Sequence, residues 1–100
     1  MRVLITGGAT GLGQAIAFKW AEKWKGKEGG IEICIADINQ ERGDETVNTL
    51  TTQGAKAFYV HCDITSDSDV ETLAQTIEAR WGGIDTVFNN AGVATGGSLL

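Results

Sequence analysis

The sequence predicts an α/β fold with a doubly wound parallel sheet. Four short apolar runs are separated by three stretches with helical spacing, and each run leads into glycine, aspartate or asparagine. The order strand, helix, strand, helix, strand, helix, strand is typical of linked βαβ units, which place four strands in the order 3-2-1-4.

The four predicted strands are residues 2–6, 31–36, 56–62 and 84–88. Continuous apolar runs of this length are typical of parallel strands that are covered on both faces. With strand order 3-2-1-4, we expect the fourth strand to be an exposed edge, and a single helix to cover one face of the sheet.

The first predicted helix runs from residue 12 to about residue 25. Its apolar stripe repeats every four residues and is expected to face the core, with small residues beside it that allow a close approach to the sheet. Phe18 falls on the opposite side of the helix and is expected to be exposed. The stripe comprises Leu12, Ile16, Trp20 and Trp24, and the small residues are Gly13, Ala17 and Ala21.

Two further helices are predicted over residues 39–53 and 67–81. The second of these has the spacing of a capping box at Ser66 and Asp69, followed by a regular apolar stripe. That stripe comprises Val70, Leu73, Ala74, Ile77 and Trp81.

Composition narrows the possible functions. The 100 residues carry a net charge of −5, and the short basic stretch at residues 23–27 is too small for a nucleic-acid surface. We expect no nucleic-acid partner, no membrane association and a cytoplasmic location. Cys34 and Cys62 are interpreted as small buried hydrophobic residues, and the single His61 makes a metal site improbable.

Residues 6–13, TGGATGLG, join the first strand to the first helix, so a helix N-terminus with unpaired N–H groups faces the predicted crevice. Gly7 would allow a tight turn, Gly11 a close approach to pyrophosphate, and Gly13 close packing of the helix. A glycine-rich turn that binds nothing is the alternative. A P-loop is excluded because Gln14 and Ala15 stand where lysine and a hydroxyl residue are required.

The pattern T-G-x-x-x-G-x-G resembles that of the short-chain dehydrogenase/reductase family. Three further features agree with this resemblance: Asp37 after the second strand, Asp63-Ile64 after the third, and Asn89-Asn90-Ala91-Gly92 after the fourth. The related sugar-epimerase pattern T-G-x-x-G-x-x-G is disfavoured, because it would need glycine at Thr10. The resemblance implies a Rossmann-like domain that binds NAD(P).

The resemblance also implies roles for individual residues. The loop residues would surround the pyrophosphate, the second-strand acid and its neighbour would meet the adenosine ribose, the third-strand pair would read adenine, and the fourth-strand segment would pass beneath the nicotinamide ribose. These groups are Gly7, Thr10, Gly11, Leu12 and Gly13; Asp37 and Ile38; Asp63 and Ile64; and Asn90, Ala91 and Gly92.

Three of the acidic and amide positions have structural alternatives. Asp37 could cap the following helix, although Asn39 can do so as well, and Asp63 could belong to a turn. Asn89 is interpreted as structural, because the family uses that position to tie strands together.

Asp37 also predicts the cofactor. A carboxylate at this place attracts ribose hydroxyl groups and repels a 2′-phosphate. Family members that prefer NADP usually carry a base at the position of Thr10 or just after that of Asp37, where this chain has Ile38. NAD is therefore expected, and NADP is the less favoured cofactor.

The family's catalytic serine, tyrosine, lysine and relay asparagine all follow the N-N-A-G strand. The only tyrosine here is Tyr59, which is followed four residues later by Asp63 and not by lysine. Residues 1–100 are interpreted as the N-terminal part of one NAD(P)-binding domain whose C-terminal part is missing. Alone, this part is expected to be inactive and marginally stable.

The expected function is therefore the cofactor-binding part of an oxidoreductase. Its substrate would be an alcohol or a ketone, and the full-length protein would be a homo-oligomer. A non-catalytic dinucleotide-binding module, or a vestigial truncated product, is the alternative.

Overall fold

The computed structural model describes residues 1–90. All seven predicted elements are present, and their ends lie within two residues of the predicted ones. In chain order they are β1 (Arg2–Thr6), α1 (Gly11–Trp24), β2 (Glu32–Asp37), α2 (Gln40–Thr52), β3 (Lys56–His61), α3 (Asp67–Trp81) and β4 (Thr86–Asn89).

The four strands form one parallel sheet in the order β3-β2-β1-β4, which confirms the predicted topology. β1 lies between β2 and β4, so that Thr6 is in register with Ala36 on one side and with Asn89 on the other. The carboxyl ends of these three strands therefore lie at one edge of the sheet, on which the candidate site is built.

One face of the sheet packs against α1 and α2. Val3 and Ile5 of β1 meet Ile33 and Ile35 of β2, and all four side chains are fully buried. Burial of each such side chain stabilises the fold by about 1.5–3 kcal/mol. The helices contribute Ala17, Ala21 and Leu50 to this core cluster.

The prediction for α1 is wrong at two positions, one in the apolar stripe and one opposite it. Leu12 is 66% exposed, because it lies in the first turn of the helix, beyond the layer of core residues. Phe18 is partly buried and packs against the core cluster, although its position on the helix predicted exposure. Trp20 packs as expected, with its ring centroid 5.3 Å from that of Phe88 in β4.

The other face packs against α3. Its buried cluster consists of Cys34, Ala36, Cys62, Leu73, Ile77 and Trp81, so both cysteines are buried as predicted. Val70 and Ala74 were expected in the core but are exposed, and they line an open apolar groove together with Leu4 of β1 and Val87 of β4. α3 covers the β2–β3 side of this face and leaves the β4 side open.

The helix starts follow the predicted chemistry with one difference. The Asn39 side chain accepts a hydrogen bond from the Arg42 N–H and so caps α2, while Ser66 Oγ accepts from the Asp69 N–H and caps α3. The reciprocal half of the capping box is missing, because the Asp69 carboxylate accepts from the N–H of Asp63 at 3.0 Å. The β3–α3 connection is thereby held against the first turn of α3.

Within residues 1–90, no helix has both the length and the apolar character that crossing a membrane requires.

The buried Cys34 thiol predicts a loss of stability in alkali. Burial, more than the charges around it, raises the pKa of Cys34 from 9.0 to about 12. The folded chain therefore binds more protons than the unfolded chain above pH 9, and the stability present below that pH is lost as the pH rises towards 12. We expect the free energy of unfolding to fall by about 1.4 kcal/mol per pH unit in this range.

Urea titrations at several pH values check this expectation, with Cys34→Ala as the comparison. Burial also raises the pKa values of Tyr59 and Cys62, so a residual alkaline slope is expected in the variant. An alkaline slope as steep in Cys34→Ala as in the parent chain would contradict the assignment to Cys34.

Candidate dinucleotide-binding site

Three glycines, Gly7, Gly11 and Gly13, determine the shape of the β1–α1 connection, and each has a different structural role. Gly7 turns the chain at a positive φ of 66°, and its N–H donates to the carbonyl of Ala36 at the end of β2 at 2.8 Å. Gly11 begins α1 at a φ of 56° and faces open space, since a Cβ there would meet no atom within 4 Å. A ligand can therefore approach the backbone closely at Gly11.

Gly13 allows α1 to pack directly on the loop. A Cβ built on Gly13 would lie 2.1 Å from the carbonyl oxygen of Gly7 and 3.0 Å from Nδ2 of Asn90. This residue is buried, whereas Thr10, Gly11 and Leu12 are exposed. The loop thus presents its outer residues to solvent and uses Gly13 to bring the helix against the end of the sheet.

The start of α1 differs from the starts of the other two described helices. Thr10 occupies the N-cap position with extended backbone, but its side chain makes no capping hydrogen bond, and the first turn contains no acidic residue. α2 and α3 both have a side-chain cap and acidic residues in the first turn. The positive end of the α1 dipole is therefore not countered by a capping side chain or by an acidic residue in its own first turn, which suits it to an anion.

Asp37 ends β2 beside this loop, and both of its carboxylate oxygens are held by backbone. Oδ2 accepts a hydrogen bond from the Ala9 N–H at 3.2 Å, and Oδ1 accepts from the Asn39 N–H at 2.9 Å. Asn39 caps α2, which answers the alternative that Asp37 is merely a cap. The carboxylate is partly exposed and fixed in direction, and each oxygen has a further lone pair to offer.

Two residues that the sequence analysis did not single out, Gln14 and Thr46, hold the carbonyl side of the same loop residue, Ala9. The Gln14 side-chain amide donates to the Ala9 carbonyl at 3.4 Å and to the Thr46 hydroxyl at 3.1 Å. Thr46 is fully buried in α2, and its single hydroxyl proton is best directed at the Arg42 carbonyl at 2.9 Å. The sequence signal that could have indicated this contact is a polar residue, Thr46, on the side of α2 that faces the core.

Asp63 and Ile64 follow β3 at the same edge of the sheet. The Asp63 carboxylate accepts hydrogen bonds from both the N–H and the hydroxyl of Thr65, at 2.9 and 2.6 Å. The hydroxyl bond, followed by the backbone bond, lowers the pKa of Asp63. These contacts match the turn alternative, while Ile64 lines the apolar groove beside α3.

The end of β4 is tied to the loop and to β1. Asn89 Oδ1 accepts a hydrogen bond from the Thr6 hydroxyl at 3.0 Å, which is the strand-tying role that the resemblance implies. Asn90 Nδ2 donates to the Gly7 carbonyl at 3.3 Å. Ala91 and Gly92, which complete the predicted segment, lie outside the described residues.

Apolar side chains flank the polar loop. Leu12 and Ile38, at 66% and 61% exposure, are the most exposed of the large hydrophobic residues in the described chain. One belongs to the first turn of α1 and the other follows Asp37. Exposed apolar surface next to uncapped backbone N–H groups is suited to a ligand that combines flat apolar rings with anionic groups.

Tyr59 makes a further contact, with Asp37, that was not predicted from the sequence. Its hydroxyl donates to the backbone carbonyl of Asp37 at 2.6 Å, and its ring lies against Gly43 of α2. A glycine in the interior of a helix, opposite a strand with an aromatic residue, was the signal that could have found this contact. Among residues 1–90, no cluster of three or more histidine, cysteine or acidic side chains could hold a metal ion.

The chain belongs to the short chain dehydrogenase family, whose sequence profile matches residues 1–99. Tropinone reductase-like 1 from Erythroxylum coca is 38% identical over 96 residues, which cover 96% of this chain and 32% of that protein. The mitochondrial (−)-isopiperitenol/(−)-carveol dehydrogenase from Mentha piperita is 36% identical over 92% of this chain and 32% of its own length. The chain therefore spans about a third of the length of these relatives.

Solved structures agree with this assignment. NAD+-bound xylitol dehydrogenase superposes with a TM-score of 0.80 and 31% identity, over 91% of this chain and 33% of that chain. L-sorbose reductase from Gluconobacter frateurii, complexed with NADPH and L-sorbose, also has a TM-score of 0.80, with 27% identity over 92% of this chain and 33% of its own.

Proposed function

We propose that this chain binds the nicotinamide dinucleotide of an oxidoreductase, and that it binds NAD in preference to NADP. The observation that carries the proposal is the pairing of an uncapped α1 N-terminus with a carboxylate fixed at the end of β2 by the Ala9 and Asn39 N–H groups. A dinucleotide needs both features, one for its pyrophosphate and the other for its ribose.

The residues at this edge fit the parts of such a cofactor. The backbone of Gly11, Leu12 and Gly13 would hold the pyrophosphate, and Asp37 would accept hydrogen bonds from the adenosine ribose. Ile38 offers an exposed apolar side chain beside that ribose. A bound nicotinamide would supply hydride transfer.

Asp63, Ile64, Asn90, Ala91 and Gly92 remain proposed cofactor residues. Because Thr65 already engages the Asp63 carboxylate, the backbone of this turn is the better candidate for reading adenine.

Preference for NAD follows from the charge and the surroundings of Asp37. A 2′-phosphate would bring negative charge against the Asp37 carboxylate, whose direction is fixed by two backbone N–H groups. The adjacent Ile38 offers no cation to offset that repulsion, and neither does Thr10 across the loop. The relatives' solved structures include both NAD and NADPH complexes, so the preference rests on these residues and not on the family.

For the whole protein we propose hydride transfer between NAD and an alcohol or ketone. This chain alone would be inactive, because its only tyrosine donates to the Asp37 carbonyl beneath α2 and is committed to structure. For the chain by itself, that contact also favours the alternative function, a dinucleotide-binding module without catalysis. Dehydrogenase activity of the isolated chain would contradict this inference.

A homo-oligomeric full-length protein remains a proposal that rests on the family resemblance, and a cytoplasmic location remains a proposal that rests on the composition of the sequence and its two cysteines.

The cofactor proposal is tested by calorimetric titration with NAD and NADP of the parent chain and of Asp37→Asn. We expect NAD to bind more tightly than NADP in the parent chain. In Asp37→Asn, NAD should bind about tenfold more weakly, because a hydrogen bond to a charged group contributes about 1.5–3 kcal/mol. NADP should lose less affinity, since the repulsion of its 2′-phosphate is relieved.

Ile38→Arg is the complementary variant, and it should strengthen NADP binding by adding a cation beside the 2′-phosphate. Thr49→Ala, on the exposed side of α2, is the matched control and should bind as the parent chain does. Equal affinity of the parent chain for both cofactors would overturn the NAD preference. Failure to bind either one would overturn the proposed function of the chain.

A further inference from the structure

We propose that Tyr59 is a positioning residue for Asp37, so that a phenol on β3 sets how firmly the chain holds the adenosine ribose of its cofactor. The inference rests on the proposed function for its ligand and on the contacts of the free chain for its geometry. Tyr59 contacts the backbone carbonyl of Asp37 and therefore acts on the proposed site through the backbone of that residue.

The Asp37 carbonyl is the point at which this control is exerted. It accepts two hydrogen bonds, from the Tyr59 hydroxyl at 2.6 Å and from the N–H of Cys62 at 3.1 Å. Both donors belong to the β3 side of the sheet, whereas both N–H groups that hold the carboxylate belong to segments that follow β1 and β2. Asp37 is thus held from opposite sides, by its backbone and by its side chain.

The Tyr59 hydroxyl reaches this carbonyl because α2 has no side chain at Gly43, where the helix lies against the Tyr59 ring. A Cβ on Gly43 would lie 2.2 and 2.3 Å from the Cδ1 and Cε1 atoms of Tyr59, so any larger residue would overlap the ring. Glycine inside a helix costs about 1 kcal/mol relative to alanine. The helix therefore carries a local cost at the position that lets the phenol pass beneath it to Asp37.

The donor is available throughout the neutral range. Burial, and then the nearby Asp37 and Asp44 carboxylates, raise the pKa of Tyr59 above its usual value of 10.0. The phenol therefore stays protonated and donates wherever the protein would bind its cofactor. A phenylalanine would fill the same space and would remove only this donor.

The direction of the Asp37 carboxylate depends on where its backbone lies. When the Tyr59 bond is lost, the Asp37 carbonyl keeps only the bond from Cys62, and the bond from Ala9 to the carboxylate, already long at 3.2 Å, is expected to weaken. A ribose then meets an acid that must first be ordered, which reduces affinity without altering the chemistry of the reacting groups.

The test compares Tyr59→Phe with the parent chain in two backgrounds, with Asp37 intact and with Asp37→Asn. NAD affinity measured by calorimetry should fall three- to tenfold when Asp37 is intact. In the Asp37→Asn background, the same change should alter affinity less than twofold, because the positioned side chain is then no longer a carboxylate. An equal loss in both backgrounds would show a general structural role and overturn the proposal.

Amide hydrogen exchange of the free chain measures the effect of Tyr59 on the Ala9–Asp37 hydrogen bond without the cofactor. The Ala9 N–H should exchange at least threefold faster in Tyr59→Phe, while the amide of Leu73 in α3 should be unchanged. If the parent chain binds no NAD, the proposed function fails but this reading still decides whether Tyr59 positions Asp37. Unchanged exchange at Ala9 overturns the inference.

Incorporation of 3-fluorotyrosine covers the case in which Tyr59→Phe does not fold. Tyr59 is the only tyrosine, so a single fluorine resonance results. This resonance should shift in Asp37→Asn, and an unmoved resonance counts against the proposal.

Discussion

Replacing Gly13 by alanine is expected to remove cofactor binding and to destabilise the chain by about 3 kcal/mol. The added Cβ would lie 2.1 Å from the carbonyl oxygen and 2.8 Å from the carbonyl carbon of Gly7. Both are backbone atoms, so no side-chain rotation can relieve the overlap, and overpacking of this kind costs about 1–3 kcal/mol or more. α1 must move away from the loop, and its N-terminus would no longer face the proposed position of the pyrophosphate.

Gly83→Ala is the matched control for this variant. Gly83 has ordinary backbone, and a Cβ there would meet no atom within 4 Å. Urea unfolding and NAD titration of the two variants separate the specific effect of Gly13 from the general effect of adding a methyl group. Retained NAD affinity in Gly13→Ala would show that the contact between loop and helix is not needed for the site.

Gly43→Ala is expected to destabilise the chain by about 2–3 kcal/mol, even though alanine favours a helix more than glycine does. The opposing effect is the overlap with Tyr59, whose ring atoms lie 2.2 to 3.0 Å from the added Cβ. The ring is confined between α2 and the sheet, and its hydroxyl is bonded to Asp37. The ring can therefore not swing aside without losing that bond.

The sign of the Gly43 effect should reverse when the ring is removed. In the Tyr59→Ala background, Gly43→Ala should stabilise the chain by about 1 kcal/mol, which is the difference in helix propensity. Urea unfolding of the four chains in this double-mutant cycle gives the coupling directly. Additive effects of the two changes would contradict the steric explanation and would place the cost of Gly43→Ala elsewhere in α2.

The element types and the strand order could be predicted because they depend on local periodicity and on the general rules for βαβ units. The first residue of β4 could not be predicted from the sequence. Its first paired residue is Thr86, because the Asp85 carboxylate and N–H both bond to the backbone of Arg2 and begin the pairing there. A contact between residues 83 positions apart in the sequence thus sets the start of this strand.

The location of the candidate site could also be predicted, because parallel strands place their carboxyl ends together. The contacts that hold the site together could not be predicted from the sequence. The bonds from Ala9 to Asp37, from Gln14 to Thr46 and from Tyr59 to Asp37 join residues that are 28, 32 and 22 positions apart. No local pattern encodes such pairs, since each depends on the distance between two separate elements.

The central place of β1 has a consequence for how the chain is made. β1 is synthesised first, yet its partner on one side begins at Glu32 and its partner on the other side at Thr86. Its pairing with β2 can form early, whereas its pairing with β4 must wait for loop closure over most of the chain. During synthesis, one edge of Val3, Leu4 and Ile5 therefore stays unpaired until β4 emerges, and chaperones would be expected to bind this apolar segment in that interval.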